Sequence, residues 1–228
     1  RTLEIARSFK KIKIKIYKNF KGMENLAFCY KNKLVNTKYT AVYHSDDIYH
    51  KRIVEEQVQY LEKNPKTILV TTKAYLVNKQ NKIISKTNKG LTKTLFKKDI
   101  ELLKVCLKHY NPLNCPTALF NSKKITFAKK WNIKKFNMSA DLDFYFNILK
   151  LGYIKILDKY LCRIRISEKQ LTQGQREILK SSDFINLMNS YMKKNRIKKD
   201  LNDQDKKLFL ILKFRDQIRI ISHLIKKT

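Results

Sequence analysis

A chain of 228 residues with 43% hydrophobic content can bury one good-sized core, or one core plus an appendage, which excludes a disordered or fibrous polymer. No apolar run approaches the roughly 20 residues that cross a bilayer, and no segment has a secretion signal's pattern, so the expected location is cytoplasmic, at most peripheral at the inner face of a membrane. A formal charge of +32 calls for an anionic or phosphorylated partner. Lysine far outnumbers arginine and is spread along the whole chain, whereas a nucleic-acid footprint clusters on one face and uses Arg on base edges, so nucleic acid is disfavoured. The four cysteines, Cys29, Cys106, Cys115 and Cys162, form no Cys-x-x-Cys and no zinc-finger spacing, and read as reduced thiols.

In chain order, residues 2–11 have helical spacing, with Leu3, Ala6 and Phe9 on one side. Ile12, Ile14 and Ile16 alternate with Lys13 and Lys15, the pattern of a strand with one wet face. After Gly22, residues 25–35 suit a second helix. Residues 39–43 have strand composition, and residues 51–62 form a helix that must stop at Asn64-Pro65, because the residue before proline is pushed out of the helical region. Residues 68–72 and 74–77 are β-rich, followed by a turn over 78–81 and an extended edge at 82–84. A short helix is predicted over 99–108, an irregular loop over 112–117, a buried strand over 118–120, a helix over 139–151 ended by Gly152, and a strand over 153–157. Beyond Thr172 two basic helices follow, over 176–194 and 203–226. The alternation predicts an α/β fold with a mixed, largely parallel sheet flanked by helices, divided into a domain over 1–172 and a basic helical extension over 173–228.

Two acidic spots stand out in this lysine-rich chain. Asp46 and Asp47, in Val42-Tyr43-His44-Ser45-Asp46-Asp47-Ile48-Tyr49, fall on a predicted strand-to-helix turn, the edge where open α/β sheets bind ligands. One or two carboxylates there can hold a hard divalent cation against substrate phosphates; the same pair reads equally as an acidic helix N-terminus. The second spot is Ser139-Ala140-Asp141-Leu142-Asp143. Asp143, Asn147 and Lys150 share a polar stripe facing away from the Leu142, Tyr145, Phe146 and Leu149 stripe. Asp141 flanks the apolar side, where it can enter a cleft, and is the better general base.

These segments, with Gln57, Leu61 and Asn64-Pro65 after the first, Cys115-Pro116-Thr117-Ala118-Leu119-Phe120 between the two, and Arg163-Ile164-Arg165-Ile166-Ser167 with Gln170 after the second, resemble glycosyltransferase family 2 over residues 2–170. The resemblance implies a GT-A fold and inverting transfer of a sugar from a nucleotide-diphosphate sugar to a glycan, lipid-linked or protein acceptor, in making a cell-surface polysaccharide or glycoconjugate. It implies Mg²⁺ or Mn²⁺ on Asp46, with His44 standing where many members carry the first Asp of the motif, and Asp141 as the base. Asp47 is then expected to order the turn by capping the following helix or to contact the donor ribose or sugar, Thr117 to face the sugar, and Arg165 to pair with the diphosphate through its two-pronged guanidinium. The family's first strand and base-binding acidic turn would lie before Arg1. The competing expectation is a non-catalytic basic module for nucleic acid or acidic polymer, with the acids serving only as caps. In residues 206–227 apolar positions recur at helical spacing among lysines and arginines, the pattern either of a helix packed on the domain or of one lying on an anionic membrane surface.

Overall fold

Two long strands frame the molecule. In the computed structural model, which describes residues 2–8, 37–124, 132–166 and 182–225, the strands in chain order are Tyr39–Val42 (β1), Ile48–Tyr49 (β2), Thr67–Val77 (β3), Ile83–Lys86 (β4), Leu95–Phe96 (β5), Ala118–Asn121 (β6) and Tyr153–Arg165 (β7). β3 and β7 pair in parallel from Thr67 opposite Tyr153 to Val77 opposite Arg165. β6 and β4 follow one another along the other edge of β3, and β5 and β2 along the other edge of β7, with β1 outside β6. The predicted strand at Ile12–Ile16 and helix at 25–35 lie outside the described residues.

Among the described strands only β3 and β7 pair in parallel; every other pairing is antiparallel. The sheet is therefore mixed, as expected, but its pairings are mostly antiparallel, which corrects the expectation that it would be largely parallel. The physical reason is local. Between β3 and β7 lie helices that form a crossover, but β4 returns on β3 through a tight turn in which the Asn78 side chain accepts the Gln80 and Lys82 amides and Asn81 takes a positive φ of 64°. β3 is also one strand where the sequence suggested two. Lys73 stays within it, nearly buried and paired with Asp158 at 2.6 Å. Opposite it, Thr72 faces Leu157 and Lys73 faces Tyr160, so the exposed Asp158 and Lys159 bulge from β7 and let the strand run on to Arg165.

The helices are Thr2–Ser8 (α1), Ile53–Lys63 (α2), Asp99–His109 (α3), Ile133–Phe136 (α4), Ala140–Ile148 (α5), Asp183–Met192 (α6), Asn195–Lys198 (α7) and Asp203–Ile225 (α8). Period-two alternation sends Val70, Leu119 and Leu157 against Leu61 and Val58 of α2 in a small cluster. Leu69, Phe120, Ile154 and Ile156 point into a larger one with α3, α5, α6, α7 and α8. Ile185, Met188, Tyr191, Ile197, Phe209 and Leu212 all belong to that larger cluster, so the C-terminal helices share the core of the sheet. The expected boundary at 172 falls among residues 167–181, outside those described. No helix among the described residues is long and apolar enough to cross a membrane.

α5 departs from the amphipathic helix that its sequence suggested. Eight of its nine residues are buried, all but Asn147, and Asp143 is 2% exposed where a solvent-facing side chain was expected. The cause is α6, which covers that side. Asp143 Oδ1 accepts from the Tyr191 hydroxyl at 2.8 Å, and Oδ2 accepts from Asn132 at 2.7 Å and Asn147 at 3.3 Å. The carboxylate is a buried tie between α5 and the C-terminal helices.

Candidate functional site

The acidic turn lies between two strands. β2 intervenes before α2, whose N-cap position is Arg52, so neither Asp46 nor Asp47 caps that helix. This corrects both the strand-to-helix placement and the capping reading of the pair. The turn is built on its own residues: the Asp47 amide approaches the His44 carbonyl at 3.4 Å, and the Tyr43 and Tyr49 rings stack with centroids 4.4 Å apart. The His44 amide donates to the Tyr49 hydroxyl at 2.6 Å. Burial pushes the Tyr43 phenol up to about 12 and raises that of Tyr49 further, so both remain neutral hydrogen-bonding groups.

His44, Asp46 and Asp47 each offer a ligand atom, and these atoms lie within 4.8 Å of one another. Asp47 faces two ways. Its Oδ1 accepts the Arg165 amide at 2.9 Å, while its Oδ2 is buried with no hydrogen-bond partner. Burial raises the Asp47 pKa, Asp46 adds to the rise, and the Arg165 amide and the His44 and Arg165 charges oppose it. A buried, unanswered carboxylate oxygen beside two further donors is a defect that a divalent cation repairs, so these residues fit Mg²⁺ or Mn²⁺, with His44 a softer donor than the usual carboxylate.

Arg165 belongs to the same cluster through its backbone and its side chain. Its Nε donates to the Asp46 carbonyl at 3.0 Å, and Nη1 reaches the carbonyls of Asn78 and Lys79, each at 3.3 Å. The guanidinium expected to meet a diphosphate is thus engaged on three carbonyls, fixing the turn at the carboxyl ends of β3 and β7.

The second half of the site centres on Asp141, in the first turn of α5. Ser139 supplies no side-chain cap. Asp141 is 8% exposed; its Oδ1 accepts the Leu142 amide at 2.7 Å, and burial pushes its carboxyl up to about 6. Its neighbour is Cys115, whose thiol burial and the Asp141 charge together push up to about 12. Cys115 opens the short turn Cys115–Thr117 that leads into β6. Thr117, expected to face the donor, is corrected to an internal role: it is fully buried, its hydroxyl accepting the Thr72 amide at 3.0 Å and donating to the Asn114 carbonyl at 2.9 Å. Its one donor is taken by the Asn114 carbonyl, and complete burial keeps its remaining lone pair from a ligand.

One buried amide joins the two halves. Gln57 Oε1 accepts from the Tyr43 hydroxyl at 3.0 Å, and its Nε2 donates to the carbonyls of Thr117 at 2.6 Å and Val70 at 3.3 Å. Val42 pairs with Ala118 beside it. The acidic turn and the loop neighbouring Asp141 are therefore held to one another through α2. The sequence carried a signal for this: Gln57 sits between Ile53 and Leu61 at four-residue spacing, a polar residue in the buried register of its helix. Asp143 carried no such signal, because its partner Tyr191 is 48 residues away. Compared with known proteins, the chain matches no protein-family model, and no curated protein matches it in sequence.

Proposed function

We propose that the chain is a metal-dependent, inverting glycosyltransferase of GT-A type, similar to family 2, that moves a sugar from a nucleotide diphosphate to an acceptor hydroxyl. Its products belong to cell-surface polysaccharide or glycoconjugate synthesis, and it works on the cytoplasmic side of the membrane. The observation that carries this reading is the unanswered Asp47 oxygen beside Asp46 and His44, tied through Gln57 to the loop beside a buried, base-competent Asp141. Asp46, Asp47 and His44 would hold the cation, which when bound neutralises charge building on the departing diphosphate. Arg165 keeps the turn in shape from behind. Asp141 takes the proton of the acceptor hydroxyl as that oxygen attacks the anomeric carbon from the face opposite the diphosphate, which inverts the centre. A carboxyl near 6 is ionised at neutral pH and still basic enough to share a proton. The alternative, a basic module whose acids only cap helices, loses support because Arg52 occupies the cap of α2.

The test is release of nucleotide diphosphate from a panel of nucleotide sugars with Mn²⁺ or Mg²⁺ present. Asp46→Ala should weaken metal-dependent donor binding; Asp141→Asn should abolish transfer with donor binding kept. Turnover retained in either variant refutes the assignment.

A further inference from the structure

Helix α8 is anchored along one side. Phe209 and Leu212 enter the main core, Asp216 accepts the Ser182 amide at 3.0 Å and pairs with Arg219, and Asp205 meets Lys104 at 3.2 Å. The opposite side is apolar too. Leu210, Phe214, Ile218, Ile221 and Leu224 recur every three or four residues, so they form one stripe of about four turns, and each is 46–63% exposed. Among the described residues nothing covers it.

Charge decides what can. Asp205 and Asp216 are buried and matched by cations, so beyond Asp203 the exposed charges of α8 are basic: Lys206, Lys207, Lys213 and Arg215. A second copy packed on this stripe would bring two such sets together with no exposed acid between them, in a chain of formal charge +32. An apolar stripe bordered by lysine and arginine, on a helix that cannot span, instead matches the headgroup layer of an anionic bilayer. We propose that this face of α8 rests in such a layer, with the stripe among the upper acyl carbons and the cations on lipid phosphates. This inference stands on α8 alone, whatever the sheet domain catalyses.

The experiment is co-sedimentation with vesicles of phosphatidylcholine plus phosphatidylglycerol, against phosphatidylcholine alone. The expected result is at least about tenfold stronger binding to the anionic vesicles, weakening as salt rises. Phe214→Ser with Ile221→Ser should cut that binding at least about tenfold, and Lys213→Glu with Arg215→Glu should remove the preference for anionic lipid. All four positions are exposed, and unchanged circular dichroism and melting temperature confirm that the variants fold. No binding to anionic vesicles at moderate salt overturns the proposal, as does binding that neither pair of substitutions changes. Dimers that the Phe214 and Ile221 substitutions split into monomers overturn it in favour of a second copy.

Discussion

Replacing Asp141 by Asn should raise stability at neutral pH and lower it in acid. The carboxyl is pushed from an ordinary 3.8 to about 6 by burial, so the folded state holds the proton more tightly than the unfolded chain does. The stability contributed by that proton is fully present below 3.8 and is lost as pH rises through about 6. The difference corresponds to roughly 3 kcal/mol by pH 7. Asn avoids this cost and keeps an oxygen for the Leu142 amide, but its NH₂ group is buried without a partner, which costs about 1 kcal/mol. The net expectation is a variant about 2 kcal/mol more stable at pH 7 and about 0.5 kcal/mol less stable near pH 4. Urea unfolding of both proteins across this range measures it, the two curves crossing between 4 and 6. A stability difference independent of pH, or a variant weaker at pH 7, refutes the account of Asp141 as a desolvated carboxylate kept at the expense of stability.

Gly152→Ala should destabilise the fold by about 1–3 kcal/mol in the same assay, because a Cβ there would lie 2.5 Å from the buried Ile68 side chain and 2.6 Å from the Lys66 carbonyl. A loss below 0.5 kcal/mol, roughly what a neutral surface change gives, would show that the β3–β7 start can open to admit a methyl group. Tyr191→Phe removes the hydroxyl that Asp143 Oδ1 accepts from and should cost about 1.5–3 kcal/mol, with cooperative unfolding retained. Arg165→Ala frees the Asp46, Asn78 and Lys79 carbonyls and should weaken Mn²⁺ binding by about tenfold or more in calorimetry. Unchanged affinity would mean that the turn holds its shape without the guanidinium.

Local signals were legible where local chemistry decides. Asn64-Pro65 marks the end of α2, which stops at Lys63. The turn at 78–81 follows from its asparagines, and the short strand into Phe120 from its apolar run. What failed was whatever depends on a distant partner. Lys73 looked like a break between strands because its partner Asp158 lies on β7, and Asp158-Lys159 looked like the end of a strand because a bulge leaves no periodic trace. Asp143 looked solvated because the helix that covers it comes 40 residues later in the chain. At the site, the residue types were readable and their division of labour was not. Asp47 gives one oxygen to the Arg165 amide and keeps the other buried without a partner, Arg165 grips backbone, and Thr117 turns inward, all through contacts with strands far away in sequence.

The bond from the Arg165 amide to Asp47 spans 118 residues. Closing so large a loop is entropically expensive until β3 and β7 have zipped together to their carboxyl ends, so this bond should be among the last to form. The acidic turn of a nascent or truncated chain ending before Arg165 would carry every residue of the proposed cation site and still lack its geometry. Cation affinity should therefore appear late in refolding, together with the final native signal, and would report completion of the whole sheet more sharply than any spectroscopic change in helix content.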